Sequence, residues 1–124
     1  MPTPEQMTAA VHAYVAAFDA GDPELAVAIF ADNAVVEDPV GSEPRVGTDA
    51  IRQFYTESMA TGATLHLSGP IRVAAVHAAF AMQVRLHWDG TDMAIDVIDT
   101  FAFDEAGKVT EMKAYFGPTN MTAG

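Results

Sequence analysis

Residues 93–103, MAIDVIDTFAF, constrain this chain more than any other segment, because their alternation fits a strand and little else. Successive side chains of a strand point to opposite faces, so Met93, Ile95, Val97, Asp99, Phe101 and Phe103 share one. Five of these six are large and apolar, which assigns the face to a protein interior. The sixth, Asp99, is a carboxylic acid. An ionised carboxylate buried without a partner is so costly that the group usually keeps a proton instead. A neutral carboxylic acid is a hydrogen-bond donor, and a donor in an apolar wall can stabilise negative charge developing on a ligand. A salt bridge to Arg72 or Arg85 is the structural alternative.

The segments before this strand read as helices. Thr3-Pro4-Glu5-Gln6 is a helix start, with Thr3 as N-cap, Pro4 in the first turn and Gln6 in the capping-box position. The helix runs to about Ala20 and stops at Gly21, with Met7, Val11, Tyr14, Val15 and Phe18 as its apolar stripe. Asp22-Pro23-Glu24 caps a second, short helix through Phe30. A strand is expected over 34–38, then a loop over 39–47 rich in Gly, Ser and Pro. Thr48-Asp49 caps a third helix over 50–59, with Ile51, Phe54, Tyr55 and Ser58 on one side.

The second half changes character. Strands are expected over 64–68, 71–77, 79–88, 91–103 and 109–116, with Asp89-Gly90 and 104–107 as hairpin connections. Phe80, Met82, Val84, Leu86 and Trp88 form the apolar face of one strand; Gln83, Arg85 and His87 form the other. Helices followed by a meander of strands define an α+β fold, an antiparallel sheet with helices packed on one face. At 124 residues, with half of them hydrophobic and no linker, the chain fits one domain over 1–124.

Composition excludes several functions. With no cysteine there is no disulfide framework and no thiolate nucleophile. The four histidines are scattered and none pairs at metal-binding spacing, so no metal site is expected. Seventeen acidic residues against six basic ones argue against nucleic acid and anionic membranes as partners. Residues 1–5 lack the basic start and apolar run of a signal peptide, and no apolar run is long enough to span a bilayer, so a cytoplasmic protein is expected.

Two more polar groups point the same way as Asp99. Tyr14 lies on the apolar stripe of the first helix, where a buried hydroxyl needs a partner. Asp38 shares its strand face with Val36 and Val40, while Glu37 points away. Taken singly, Tyr14 is ordinary core and Asp38-Pro39 an ordinary turn. Together with Asp99 they outline a pocket with few polar anchors, and broken local rules mark functional sites. Two carboxylates in different surroundings can act as one acid and one base. Asp38, near the mouth, suits the base; Asp99 and Tyr14, deeper, suit donors to one oxygen. A base plus an oxyanion hole, with no nucleophile, metal or cofactor motif, fits proton abstraction next to a carbonyl.

These residues carry a resemblance to the bacterial Δ5-3-ketosteroid isomerases, of the nuclear-transport-factor-2-like superfamily. The strongest match is Val36-Glu-Asp-Pro-Val-Gly-Ser-Glu-Pro-Arg45, followed by Gly47. Met7-Thr-Ala-Ala, Tyr14-Val-Ala-Ala17, Ala20-Gly-Asp22, Ile51-Arg-Gln-Phe-Tyr55, Ile98-Asp99 and Gly107-Lys-Val109 support it, nearly colinear from Pro4 to Ala123. The resemblance implies a conical protomer of three N-terminal helices and a curved antiparallel or mixed sheet enclosing an apolar pocket. It also implies a homodimer that needs no cofactor and acts on a steroid. Asp38 is then the base that moves a proton from C4 to C6. Tyr14 and Asp99 are the donors to the C3 oxygen, and Tyr55 hydrogen-bonds the Tyr14 hydroxyl. Phe54, Met82 and Phe116 are pocket wall. The ketosteroid isomerases are themselves the reference case for a neutral aspartic acid serving in an oxyanion hole. Phe30 stands where some relatives carry a tyrosine, so the hydrogen-bond chain is expected to end at Tyr55. Met82 replaces an expected aromatic, and Phe116 a tryptophan of some relatives. The rival readings are another enzyme on the same fold (a polyketide cyclase, dehydratase or epoxide hydrolase) and a non-catalytic binder of apolar ligands.

Overall fold

The computed structural model describes residues 1–123. Its helices are α1 (Pro4–Ala20), α2 (Pro23–Val27) and α3 (Thr48–Ala60). Its strands are β1 (Phe30–Glu37), β2 (Arg45–Val46), β3 (Thr64–Leu67), β4 (Arg72–Ala74), β5 (His77–Trp88), β6 (Thr91–Phe103), β7 (Val109–Tyr115) and β8 (Met121–Ala123). No helix among the described residues is long and apolar enough to cross a membrane.

The start of α1 is the expected capping box. Thr3 Oγ1 accepts from the Gln6 amide at 3.1 Å, and Gln6 Oε1 accepts from the Thr3 amide at 2.8 Å. Gly21 ends the helix in the left-handed region at φ +62° and donates to the Phe18 carbonyl. The start of α3 differs from expectation. Gly47, at φ +87°, is the residue before its first turn, and no side chain caps it. Asp49 lies inside that turn, where its charge suits the positive end of the helix and meets Arg52 at 3.2 Å. Arg52 also reaches Glu24 at 2.7 Å, tying α2 to α3.

The sheet runs β2-β1-β7-β6-β5-β3, with β4 also on β5 and β8 also on β6. Every pair is antiparallel except β1 and β7, so the sheet is mixed. Three boundaries depart from the sequence reading for tertiary reasons. The second helix stops at Val27, because Phe30 already pairs with Val109 and opens a strand longer than expected. Arg45 and Val46, expected in a loop, pair with Val36 and Val35. The strand expected over 71–77 breaks at a tight turn with Ala75 at φ +53°, and no Gly, Asn or Asp marks it in the sequence. The hairpin expected at Asp89-Gly90 forms, and both residues have positive φ, as a two-residue turn of the primed type requires.

The helices cover one face of the sheet. Met7, Val11, Tyr14, Ala17 and Phe18 are the buried stripe of α1; Ile51, Tyr55 and Met59 are that of α3. Phe101 is the hub of their aromatic packing. Its ring lies 5.3 Å from Tyr14, 5.1 Å from Phe80 and 6.3 Å from Phe30, all edge to face. Such a fully enclosed ring leaves a cavity when it is truncated. Phe101→Ala is therefore expected to cost about 3–5 kcal/mol of folding free energy, read as a lower midpoint in urea unfolding. A cost below about 1 kcal/mol would show that the cluster relaxes around the hole.

Candidate active site

A cavity of about 470 Å³ lies between the helices and the concave face of the sheet. Strand parity builds its floor. Phe80 of β5 pairs with Asp99 of β6, which pairs with Ala114 of β7. One residue beyond the last paired position of β1, Asp38 continues that row, since Glu37 is opposite Lys113 and Val40 donates to the Ala114 carbonyl at 2.8 Å. The two carboxylates therefore flank Ala114, whose single methyl leaves the space between them open. The next rows, Met82 opposite Val97 and Val84 opposite Ile95, carry the floor toward the Asp89-Gly90 hairpin. Helix α1 contributes Tyr14 and Phe18; α3 contributes Phe54 and Ser58, and Thr61 caps its end.

Asp99 is 1% exposed, and neither carboxyl oxygen has a hydrogen-bond partner among the described residues. Burial pushes its pKa well above the ordinary value, and the nearby Asp38 charge pushes in the same direction. Both effects favour the protonated, neutral form of Asp99. The expected alternative, an arginine partner, is absent: Arg72 donates to the Pro70 carbonyl and Arg85 to Gln83 Oε1, both on exposed surface. Tyr55 and Tyr14 are both buried, and the Tyr55 hydroxyl donates to the Tyr14 oxygen at 3.2 Å. That bond leaves the Tyr14 proton free to be donated elsewhere. Burial, the neighbouring Tyr55 and the two aspartates raise the Tyr14 pKa well above 10, so it too stays protonated. Phe30 packs its ring 5.7 Å from that of Tyr55 and offers no hydroxyl, so the tyrosine chain ends there.

Asp38 has different surroundings. It is half-buried at a strand end, and burial raises its pKa to about 6, opposed by the Arg45 guanidinium. It is thus the one carboxyl in the cavity that is mainly ionised at neutral pH. The loop behind it is pinned at several points. Glu37 accepts from the Gly41 amide at 2.7 Å, and the Ser42 hydroxyl donates to the Pro39 carbonyl at 2.6 Å. Arg45 donates to the Asp38 and Glu43 carbonyls at 3.5 and 3.3 Å and lies 4.7 Å above the Phe54 ring.

The structure thus brings Tyr14, Asp38 and Asp99 to one cavity, with Phe54, Met82 and Phe116 in its wall. Tyr55 does not line it and stands behind Tyr14. Val40 is a correction: it is exposed on the loop and does not share a strand face with Asp38. The position of Arg45 went unread in the sequence, because only the pairing of β2 with β1 brings it beside Asp38. The reach of the cavity to Trp88 at its mouth also went unread. Trp88 falls on the apolar parity of β5, yet it is 61% exposed, and parity alone does not distinguish a packed face from a hollow one.

Residues 11–112 match the SnoaL-like domain family. A steroid Delta-isomerase of Nocardioides simplex is 33% identical over 116 residues, 94% of each chain. The fold also superposes, with a TM-score of 0.94 over the whole of both chains, on SalBIII, an epoxide hydrolase/cyclase-like enzyme described for pyran ring formation in polyether salinomycin. At 24% identity that second likeness is one of fold. The chain accordingly belongs to the SnoaL-like domain family, with the nuclear-transport-factor-2-like fold.

Proposed function

We propose that this chain is a steroid Δ-isomerase, converting 3-oxo-Δ5-steroids to 3-oxo-Δ4-steroids by proton transfer from C4 to C6 with no cofactor. The observation that carries this reading is Asp99: a buried, unpartnered carboxylic acid beside a tyrosine whose proton is also free. Two uncommitted O–H donors facing an apolar cavity suit one developing oxyanion, and such donors are worth most where water is excluded. Asp38 is the base. Its carboxylate takes the proton from C4, the electrons of that C–H bond move into the ring, and negative charge collects on the C3 oxygen. Tyr14 and Asp99 stabilise that charge. The protonated Asp38 then returns its proton to C6, and the oxygen regains its carbonyl. The likeness to a steroid Delta-isomerase supports this reading over a hydrolase, as does the lack of an arginine beside Asp99. A homodimer in the cytoplasm, with no nucleic-acid partner, belongs to the same reading. Exposed Ile98 and Tyr115, paired on the outer face of the sheet, are apolar surface that a second copy would cover.

Conjugated enone should form from a β,γ-unsaturated 3-oxosteroid with the protein alone, followed by its ultraviolet absorbance. Asp38 must be ionised to act, so kcat/KM should rise with pH through about 6 and level off above it. Asp38→Asn should lose nearly all turnover and still bind a phenolic steroid. Turnover near that of the parent chain would mean that the base lies elsewhere.

The oxyanion assignment predicts a ranking. Asp99→Leu should lower kcat on the order of 10²–10³-fold, as loss of one oxyanion donor does. Asp99→Asn should cost less, because an amide still donates. The opposite ranking would make Asp99 a structural residue.

Stability gives a readout that needs no substrate. Asp99 holds its proton in the fold but loses it in the unfolded chain above about pH 4. The folded state then binds more protons, so this group's contribution to stability falls as pH rises from about 4 toward its raised native pKa. Asp99→Leu should therefore raise the thermal midpoint at pH 7, and the gain should shrink as pH is lowered toward 4. A midpoint difference independent of pH would show that Asp99 is ionised in the fold.

A further inference from the structure

The cavity has polar groups at both ends. The deep end holds Tyr14 and Asp99. Toward the other end run Phe54 and Ser58 of the third helix and Thr61, the residue that caps it, at positions i, i+4 and i+7, the spacing of one helical stripe. An apolar cavity calls for three apolar residues there, and two are hydroxyls. Both hydroxyl protons are already committed. Ser58 Oγ donates to the Phe54 carbonyl at 2.9 Å, and Thr61 Oγ1 donates to the Ser58 carbonyl at 2.7 Å. Each oxygen keeps lone pairs that can accept, and neither has a proton left to give. The walls around them, Leu65, Val84 and Leu86, have no polar side-chain atom to offer.

Resting on the isomerase reading, we infer that Ser58 and Thr61 form a distal subsite that accepts a hydrogen bond from a hydroxyl on the far ring of the steroid. The spacing fits. Thr61 follows Tyr55, which holds Tyr14, by six residues, an axial rise of about 9 Å, and it meets β5 at His87, seven residues beyond the Phe80 that pairs with Asp99, so the two polar groups stand well apart along the cavity. Thr61 is also held in place from the sheet side, since its carbonyl accepts from the His87 amide at 3.5 Å. The chemistry discriminates by donor. A far-ring hydroxyl replaces its bond to water with one to Ser58 or Thr61. A far-ring ketone loses its bond to water and meets two acceptors, which leaves it unpaired. The subsite therefore selects hydroxysteroids over diketones.

Two phenolic steroids test this, identical except for a hydroxyl or a carbonyl on the far ring. Both carry a phenol that mimics the enolate at Tyr14 and Asp99. Titration calorimetry on the unaltered chain should show the hydroxyl compound binding about tenfold more tightly. In Thr61→Val, which keeps the shape and removes the oxygen, that ratio should fall. In Thr61→Val combined with Ser58→Ala it should approach one. Thr61→Ser, which restores an acceptor, should recover most of the preference. Equal binding of the two compounds by the unaltered chain overturns the subsite alone. So does a preference that survives loss of both hydroxyls. Failure of both phenols to bind overturns the oxyanion pair, and the subsite with it.

Discussion

A carboxylic acid enclosed in an apolar wall without a partner is the constraint around which the rest of this structure is arranged. Asp99 cannot ionise cheaply and finds no donor or acceptor in the protein. Its neighbours in the sheet, Phe80 and Ala114, supply low dielectric and open space but no compensation. Such a residue weakens the fold, and what holds the fold together nearby is aromatic packing. Tyr14, Phe80, Phe101 and Phe30 meet edge to face on the same side of the sheet, and α1 and α3 close over them. Close aromatic packing thus lies next to a side chain with no compensating partner, as expected where a site rather than stability fixes a side chain.

Much of this was legible in the sequence, for reasons that differ by element. Asp99 was found by strand parity, which is robust because a one-residue slip would turn Phe101 and Phe103 outward. Tyr14 was found by helical spacing, and α1 was bounded at both ends by its own caps. Asp38 was weaker as read from parity alone, because β1 ends one residue before it and Val40 does not continue its face. The family resemblance, carried by the 36–45 run, made up for that.

What escaped the sequence depends on tertiary contact. The parallel pairing of β1 with β7 links segments far apart in the chain, and no local signal announces it. The turn at Ala75 has no turn residue, since the antiparallel register of β4 with β5 imposes it. Arg45 is an ordinary exposed charge until β2 pairs with β1 and lays its guanidinium over Phe54. The cavity itself is the clearest case. Met82, Val84, Leu86 and Trp88 read as a core-facing row, and in the fold they line the cavity. Periodicity reports which way a side chain points and carries nothing about what stands opposite.

The two aspartates show how one residue type can take two roles in one cavity. They flank Ala114, so their environments differ by position in the sheet rather than by distance from the ligand space. Asp99 sits mid-strand, facing the apolar cavity and almost wholly removed from solvent. Asp38 sits where a strand becomes a loop, only partly buried, with the Arg45 guanidinium favouring its charge. The order of ionisation follows: Asp38 loses its proton near pH 6, and Asp99 keeps its own. The coupling then reinforces the split, because an ionised Asp38 makes the proton of Asp99 harder to remove. The state with a charged base and a neutral donor is therefore self-consistent. In it, the charge on Asp38 holds the proton on Asp99, and a neutral Asp99 does not oppose that charge.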